Sequence, residues 1–78
     1  MGDWKYVNFG YGNMVIVFPP HAGHDELRLL EVNFGPITSA GFVRVGEDRL
    51  VSCYGKSESL KVESDQEMDS RLIGKLMR

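Results

Sequence analysis

The chain has 78 residues, with nine Lys and Arg against eleven Asp and Glu, for a formal net charge of -2. This length fits one domain, residues 1–78, with a small core, so self-association is a reasonable source of extra stability. The 42% hydrophobic and 26% charged content is typical of a globular protein and excludes a disordered one. The mildly acidic balance argues against binding nucleic acid through bulk charge.

The cysteine content and the apolar runs indicate where the protein works. One cysteine, Cys53, cannot form an intrachain disulfide, which favours a reducing compartment. The longest apolar run, Met14 to Phe18, stops at Pro19-Pro20, whereas a membrane-spanning helix needs roughly 20 apolar residues. We therefore expect a cytoplasmic protein without a membrane segment.

The first third of the chain predicts a β-hairpin. Trp4–Phe9 is rich in aromatic and β-branched residues, as strands are. Met14–Phe18 is apolar throughout, which suits a central strand covered on both faces. The glycine-rich residues 10–13 between them predict the turn. Pro19-Pro20 ends the second strand because proline has no N–H for the ladder.

Residues 21–31 allow two interpretations. Residues 21–24 predict a loop, and Asp25 is placed to cap a short helix that runs to Glu31. Leu27 and Leu30 would share one face of that helix. The alternative is a strand in which Leu27, Leu29 and Glu31 point the same way. We prefer the helix slightly, and residues 33–36 predict a turn after it.

A second hairpin is predicted from two β-like segments, Thr38–Val45 and Arg49–Tyr54, which a short turn joins. Glu58–Glu63 then alternates apolar and polar residues and predicts a fifth strand with one buried face.

The last segment has the clearest helical pattern. Ser64 and Glu67 fit a capping box, and Glu67 is also spaced to pair with Arg71. Acidic residues near the helix start and basic ones near its end complement the helix dipole. An apolar stripe at helical spacing follows the cap: Met68, Leu72, Ile73 and Leu76.

Together these elements predict an α+β fold. It comprises a mostly antiparallel sheet of about five strands, in two hairpins plus one strand, with the C-terminal helix packed on one face. An incomplete barrel is the alternative architecture.

Charge and aromatic residues are distributed unevenly, which suggests a contact surface. Of the twenty charged side chains, only Asp3 and Lys5 precede residue 25. The N-terminal third is instead aromatic, and so short a chain has little core in which to hide it. Four aromatic residues are therefore candidates for partner binding: Trp4, Tyr6, Tyr11 and Phe18.

One polar loop holds potential metal ligands. His21, His24, Asp25 and Glu26 lie within six residues, and imidazole and carboxylate groups bind Zn²⁺ and other divalent ions. The first three are the candidate ligands. Their spacing matches no strong metal signature, so a plain polar loop is the simpler interpretation and we expect no cofactor.

Catalysis and nucleic-acid binding have weaker signals. Cys53 has no base beside it in the sequence, so a buried structural thiol is expected, and we predict no enzymatic activity. Basic side chains would bind phosphates if one sheet face collected them, although acids are interleaved with them. These side chains are Lys5, Arg44, Arg49 and Lys56.

The run Asn8–Val15 resembles the N-terminal motif of the small bacterial extracellular-matrix regulators. That family forms oligomers that bind DNA, which is what the resemblance implies. Paired arginines follow a Tyr-Gly in the family's middle section, whereas here Tyr54-Gly55 is followed by Lys56 and Ser57. No functional residue is therefore carried over.

These observations predict a small, non-enzymatic binding or regulatory module that acts through protein contacts. We expect a homo-oligomer, because the aromatic N-terminal third belongs to a chain with little core. By general analogy, tiny acidic proteins of this kind serve bacteria or phages as accessory factors. A nucleic-acid-binding regulator and a divalent-metal-binding protein are the alternatives.

Overall fold

The computed structural model describes residues 3–10, 12, 14–47 and 50–76. Six strands, a 3₁₀ helix and two α-helices follow one another along these residues, which confirms the predicted α+β fold. The strands are β1 (Trp4–Phe9), β2 (Met14–Phe18), β3 (Ile37–Val45), β4 (Val51–Tyr54), β5 (Lys56–Ser57) and β6 (Val62–Glu63). The helices are the 3₁₀ helix (His24–Leu30), α1 (Glu31–Phe34) and α2 (Gln66–Leu76).

A four-stranded antiparallel sheet has the order β2-β1-β3-β4. Tyr6 of β1 lies opposite Val17 of β2 on one side and opposite Gly41 of β3 on the other. Both predicted hairpins, β1-β2 and β3-β4, are confirmed. Over the described ranges the sheet is open, with β2 and β4 at its edges, and does not close into the alternative barrel.

The prediction that Met14–Phe18 is a central strand is wrong, because β2 lies at an edge of the sheet. Its apolar residues have a different explanation. Ile16 and Phe18 pack into the core on one face, while Val15 and Val17 pack against the core on the other. A strand can thus be apolar on both faces and still have one open side.

Side chains of β1 alternate between two faces, and each face has its own core. Tyr6 packs with Cys53 of β4 and Ile73 of α2, and we call this side of the sheet the α2 face. Val7 and Phe9 pack beneath the 3₁₀ helix and α1, and we call that side the 3₁₀ face. The sheet is therefore covered on both faces, whereas the sequence predicted a helix on one.

Residues 24–34 are helical, as preferred over the strand alternative. The helix begins after Gly23, whose N–H donates to the Glu26 carboxylate at 3.0 Å. The predicted cap, Asp25, lies inside the helix instead. Leu27 and Leu30 pack against the core of the 3₁₀ face, which explains why their spacing of three was informative.

The prediction of a strand over residues 58–63 is wrong for most of its length. β5 and β6 form a separate two-stranded sheet, with Ser57 opposite Val62, and the chain turns between them. The Ser57 hydroxyl accepts the Leu60 N–H at 3.3 Å, and local bonds of this kind compete with an extended ladder. Leu60 is still buried, so its apolar character fitted either conformation.

The cap of α2 differs by one residue from the prediction. The Asp65 carboxylate, not the Ser64 hydroxyl, accepts the Met68 N–H, at 3.2 Å. The Ser64 hydroxyl instead donates to the Gly55 carbonyl at 2.8 Å. Asp and Ser are both strong N-cap residues, and the tertiary contact of Ser64 decides between them.

The predicted surface features of α2 are present. Glu67 and Arg71 form the expected ion pair at 3.4 Å. Of the apolar stripe, Ile73 is fully buried, whereas Leu76 is 64% exposed. Among the described residues, no helix is long and apolar enough to cross a membrane.

Candidate functional site

The aromatic candidates for partner binding occupy different places. Tyr6 and Phe18 are buried, because the sheet is covered on both faces, and this burial removes both side chains from a contact surface. Trp4 is 44% exposed and, two residues before Tyr6, shares the α2 face with it. Tyr11 lies outside the described residues.

Tyr6 belongs to a buried polar network. Its hydroxyl donates to the Asp69 carboxylate, to which Asn8 Nδ2 and the Asp65 N–H also donate at 3.0 and 2.9 Å. The Asn8 side-chain oxygen accepts the Gly12 N–H at 2.7 Å. Burial, together with the neighbouring Asp69, raises the pKa of Tyr6, so its hydroxyl is a permanent donor. The network joins α2 to β1 and has a structural role.

His24 is also part of the interior. Its ring lies edge-to-face between Phe18 and Phe42, at centroid distances of 5.5 and 5.7 Å. Its Nε2 lies 2.8 Å from the Gly41 carbonyl oxygen, so Nε2 carries the proton and donates. Burial lowers the pKa of His24, which favours a neutral ring.

The structure does not assemble the candidate metal ligands. Nε2 of His24 is already bonded to Gly41, and His21 and Asp25 are exposed. In the ranges that the structure describes, no group of three or more His, Cys, Asp or Glu is placed to hold a metal ion.

Arg44, a candidate nucleic-acid contact, forms an ion pair with Asp3. Its Nε and a terminal nitrogen bond both oxygens of Asp3, at 3.1 and 3.2 Å. Its guanidinium carbon lies 5.2 Å from the centre of the Tyr54 ring, whose hydroxyl donates to the same carboxylate. The hydrogen bond from Arg44 lowers the pKa of Asp3, so the pair is ionised near neutral pH.

Lys5 lies on the same face of the sheet as Arg44, because it pairs with Phe42, two residues before Arg44. Lys5 donates its ammonium to the Ala22 carbonyl at 2.9 Å. Lys56 lies in the second sheet, opposite Glu63, and Arg49 lies outside the described residues. Of these candidates, Arg44 is thus neutralised by an acid, whereas Lys5 is held by a backbone carbonyl.

Cys53 is a free, buried thiol, as expected from the sequence. Its backbone N–H donates to the Ser70 hydroxyl of α2 at 2.9 Å. Burial raises the pKa of the thiol to about 11, and a protonated, inaccessible sulfur is a poor nucleophile.

The strongest surface feature is the outer side of β2. In the described sheet, β2 has a strand neighbour on the β1 side alone, so alternate backbone N–H and C=O groups along its outer side have no ladder partner. Natural edge strands usually carry a charge, a proline or a bulge that blocks further pairing. Met14–Phe18 contains neither charge nor proline.

An apolar groove of about 250 Å³ lies beside the start of β2. Met14 and Val15 line it from the strand, and Leu72 and Leu76 line it from α2. Gly12 lies so close to α2 that a Cβ there would be 3.3 Å from Leu72 Cδ1. We call the outer side of β2 together with this groove the β2 edge. Sequence reasoning missed it because apolar periodicity does not show which strand is outermost.

A larger cleft, of about 790 Å³, is lined by residues of several chemical types. It lies between the start of β3 and the chain that leads into α2, and its charged residues, Lys61, Glu63 and Asp65, are of mixed sign. Ser39 also lines it, but its hydroxyl oxygen is sealed from solvent and has no hydrogen-bond partner among the described residues. These groups do not converge on one ligand class.

Two further apolar residues were also missed by sequence reasoning. Leu29 and Val32 are 83% and 90% exposed. Their spacing of three puts them on one side of the helical segment, away from the inward Leu27 and Leu30. Isolated exposed apolar residues are common on protein surfaces, so the β2 edge is the more specific feature.

No protein-family model, curated protein or solved structure matches this chain. The function of the protein is therefore inferred from the geometry of its own residues.

Proposed function

We propose that the protein is a small, non-enzymatic binding module that acts through protein contacts, and that the β2 edge is its contact surface. The observation that supports this proposal is an uncharged edge strand beside an apolar groove. Backbone groups on the outer side of such a strand bind an extended protein segment by strand addition, while a pocket selects its side chains.

The reactive side chains are buried and bonded inside the fold, which supports a binding role over a catalytic one. Asp69 and His24 are hydrogen-bonded inside the fold, and Cys53 is held protonated by burial. A catalytic acid, base or nucleophile must reach its substrate. The free thiol also supports a reducing compartment, and we place the protein in the cytoplasm.

Selection from a library of displayed peptides tests this proposal. At low protein concentration we expect enrichment of peptides with alternating apolar residues. Met14→Glu introduces a charge at an exposed position of the β2 edge and is expected to weaken their binding at least tenfold. Ser52→Glu, an exposed position on the opposite edge strand, adds the same charge and serves as the matched control.

Two results would contradict the proposal: a library that yields no binders, or binders that Met14→Glu and Ser52→Glu affect equally. Circular dichroism establishes that both variants are folded before binding is compared.

A further inference from the structure

We infer that the partner of the β2 edge is a second copy of this chain, joined through antiparallel pairing of β2 with β2 in a two-fold symmetric dimer. The inference rests on the proposed function, since it names the occupant of that same surface. Four observations support it: the self-complementary register of β2, the placement of two exposed apolar side chains, the separation of the Lys75 charges, and the contact of α2 with the other edge strand, β4.

β2 is complementary to itself when two copies run antiparallel. A two-fold axis at Ile16 places this residue opposite its own copy, Val15 opposite Val17, and Met14 opposite Phe18. Every cross-strand pair is then apolar, and pairs of β-branched and aromatic residues stabilise sheets. The two four-stranded sheets become one continuous sheet in which neither β2 is an edge.

The same axis places two exposed apolar side chains at the same end of the interface. Leu76 lies beside the Met14 end of β2. Trp4 lies near the Phe18 end, because Lys5, the next residue, pairs with Phe18. The axis is perpendicular to the sheet, so both copies have α2 on the same side. Leu76 of one copy and Trp4 of the second then lie at the same end of the interface.

Charge does not oppose this arrangement. Lys75 is a charged residue that lines the groove, and the axis places the two copies of Lys75 at opposite ends of the paired strands. Met14 and Phe18 are four strand rises, about 13 Å, apart, which exceeds the Debye length of about 8 Å at physiological ionic strength.

The opposite edge of the sheet is already covered. On β4, the Cys53 N–H donates to the Ser70 hydroxyl of α2 at 2.9 Å, although β4 pairs with β3 on its other side. A helix that covers a strand in this way protects it from further pairing. The two edges thus differ, and the open one is β2.

Light scattering over a range of protein concentrations tests the inference. We expect a mass approaching twice the 8.8 kDa of the chain as concentration rises. Met14→Glu is expected to remain monomeric at the same concentrations, whereas Ser52→Glu dimerises like the unmodified protein. A second measurement needs no variant: hydrogen exchange at amides of β2 slows as concentration rises, while exchange in β4 does not change.

The outcomes separate this inference from the proposed function. A monomer at every concentration overturns the dimer, while continued binding of selected peptides leaves the proposed function standing. A dimer that forms equally with Met14→Glu and shows no added protection in β2 overturns the β2 pairing. Loss of both dimer and peptide binding removes the inference and the proposed function together.

Discussion

Tyr6 on β1 donates its phenolic hydrogen to the buried carboxylate of Asp69 on α2, 63 residues further along the chain. Asn8 donates to the other carboxylate oxygen at 3.0 Å. Hydrogen bonds to an ionised acceptor are roughly twice as strong as neutral ones. The position of α2 on the sheet is therefore held by directed bonds as well as by the packing of Ile73.

Tyr6→Phe is expected to destabilise the protein by about 1.5–3 kcal/mol, because it removes a donor from a buried charged acceptor. Urea denaturation followed by circular dichroism measures the change. Glu67→Gln is the control, since it removes the ion pair with Arg71 between two exposed side chains and is expected to cost less than about 0.5 kcal/mol. Equal stability of Tyr6→Phe and the unmodified protein would contradict a structural role for the network.

His24 makes stability depend on pH in the mildly acidic range. Burial holds the pKa of His24 below its ordinary value, and the nearby charge of Lys5 adds to this, while Gly41 and Asp25 act in the opposite direction. The unfolded chain therefore binds a proton more tightly than the folded one. Stability is at its full value above the unfolded pKa of about 6.5 and falls as pH decreases toward the folded pKa.

Urea denaturation at pH 7.5 and 5.5 measures this effect, with His24→Gln as the comparison, since glutamine keeps an N–H donor but does not titrate. The variant is expected to lose less stability between the two pH values. Equal losses of stability in the variant and the unmodified protein would show that His24 does not cause the pH dependence. Asp3 does not interfere with this comparison. Its pKa is lowered, so its contribution to stability is lost only near and below its ordinary pKa of 3.8, outside the range from pH 5.5 to 7.5.

Gly41 is required by a close approach of two backbones. A Cβ at this position would lie 2.5 Å from the Tyr54 carbonyl oxygen and 3.1 Å from Ser64 Cβ. Gly41→Ala is therefore expected to cost about 1–3 kcal/mol, as overpacking does. Gly74→Ala is the matched control, because a Cβ there meets nothing within 4 Å, and it is expected to raise stability by up to about 1 kcal/mol. Thermal denaturation that ranks the two variants in the reverse order would contradict this account.

Cys53 is expected to be unreactive in the folded protein. Its buried thiol has a pKa of about 11, so at pH 8 little thiolate is present or accessible. A chromogenic disulfide reagent should label it slowly in buffer and at once in guanidinium chloride. A cysteine at the neighbouring exposed position, in Ser52→Cys with Cys53→Ser, should react rapidly in both. Fast labelling of native Cys53 would show that β4 opens readily.

Local sequence patterns predicted most elements of the fold. β1 and β2 were predicted with their observed bounds, and β3 within one residue, because β-branched and aromatic runs end at glycine or proline. α2 was predicted from its stripe and cap. The strand predicted over residues 58–63 is a strand only at Val62–Glu63, because the bond from Leu60 to Ser57 favours a turn that alternation does not reveal.

The candidate site could not be predicted to the same extent. Which strand is outermost depends on the pairing of β1 with β3, between residues far apart in the chain. Composition indicated an aromatic surface, yet Tyr6 and Phe18 are buried and Trp4 is exposed. Burial on a sheet depends on what covers each face, and the pattern within residues 1–20 cannot show that helices later in the chain cover both faces.

The central position of β1 has a consequence for the kinetics of folding. The β1-β2 hairpin is local, but a lone hairpin is marginal in water. It becomes part of a sheet when β3 pairs with β1, and its two faces are buried only when α2 packs on one and the 3₁₀ helix and α1 pack on the other. The long loops between these elements must close first, and the entropy lost on closure is offset only after the faces are buried. We therefore expect the chain to fold more slowly than a helical bundle of equal length.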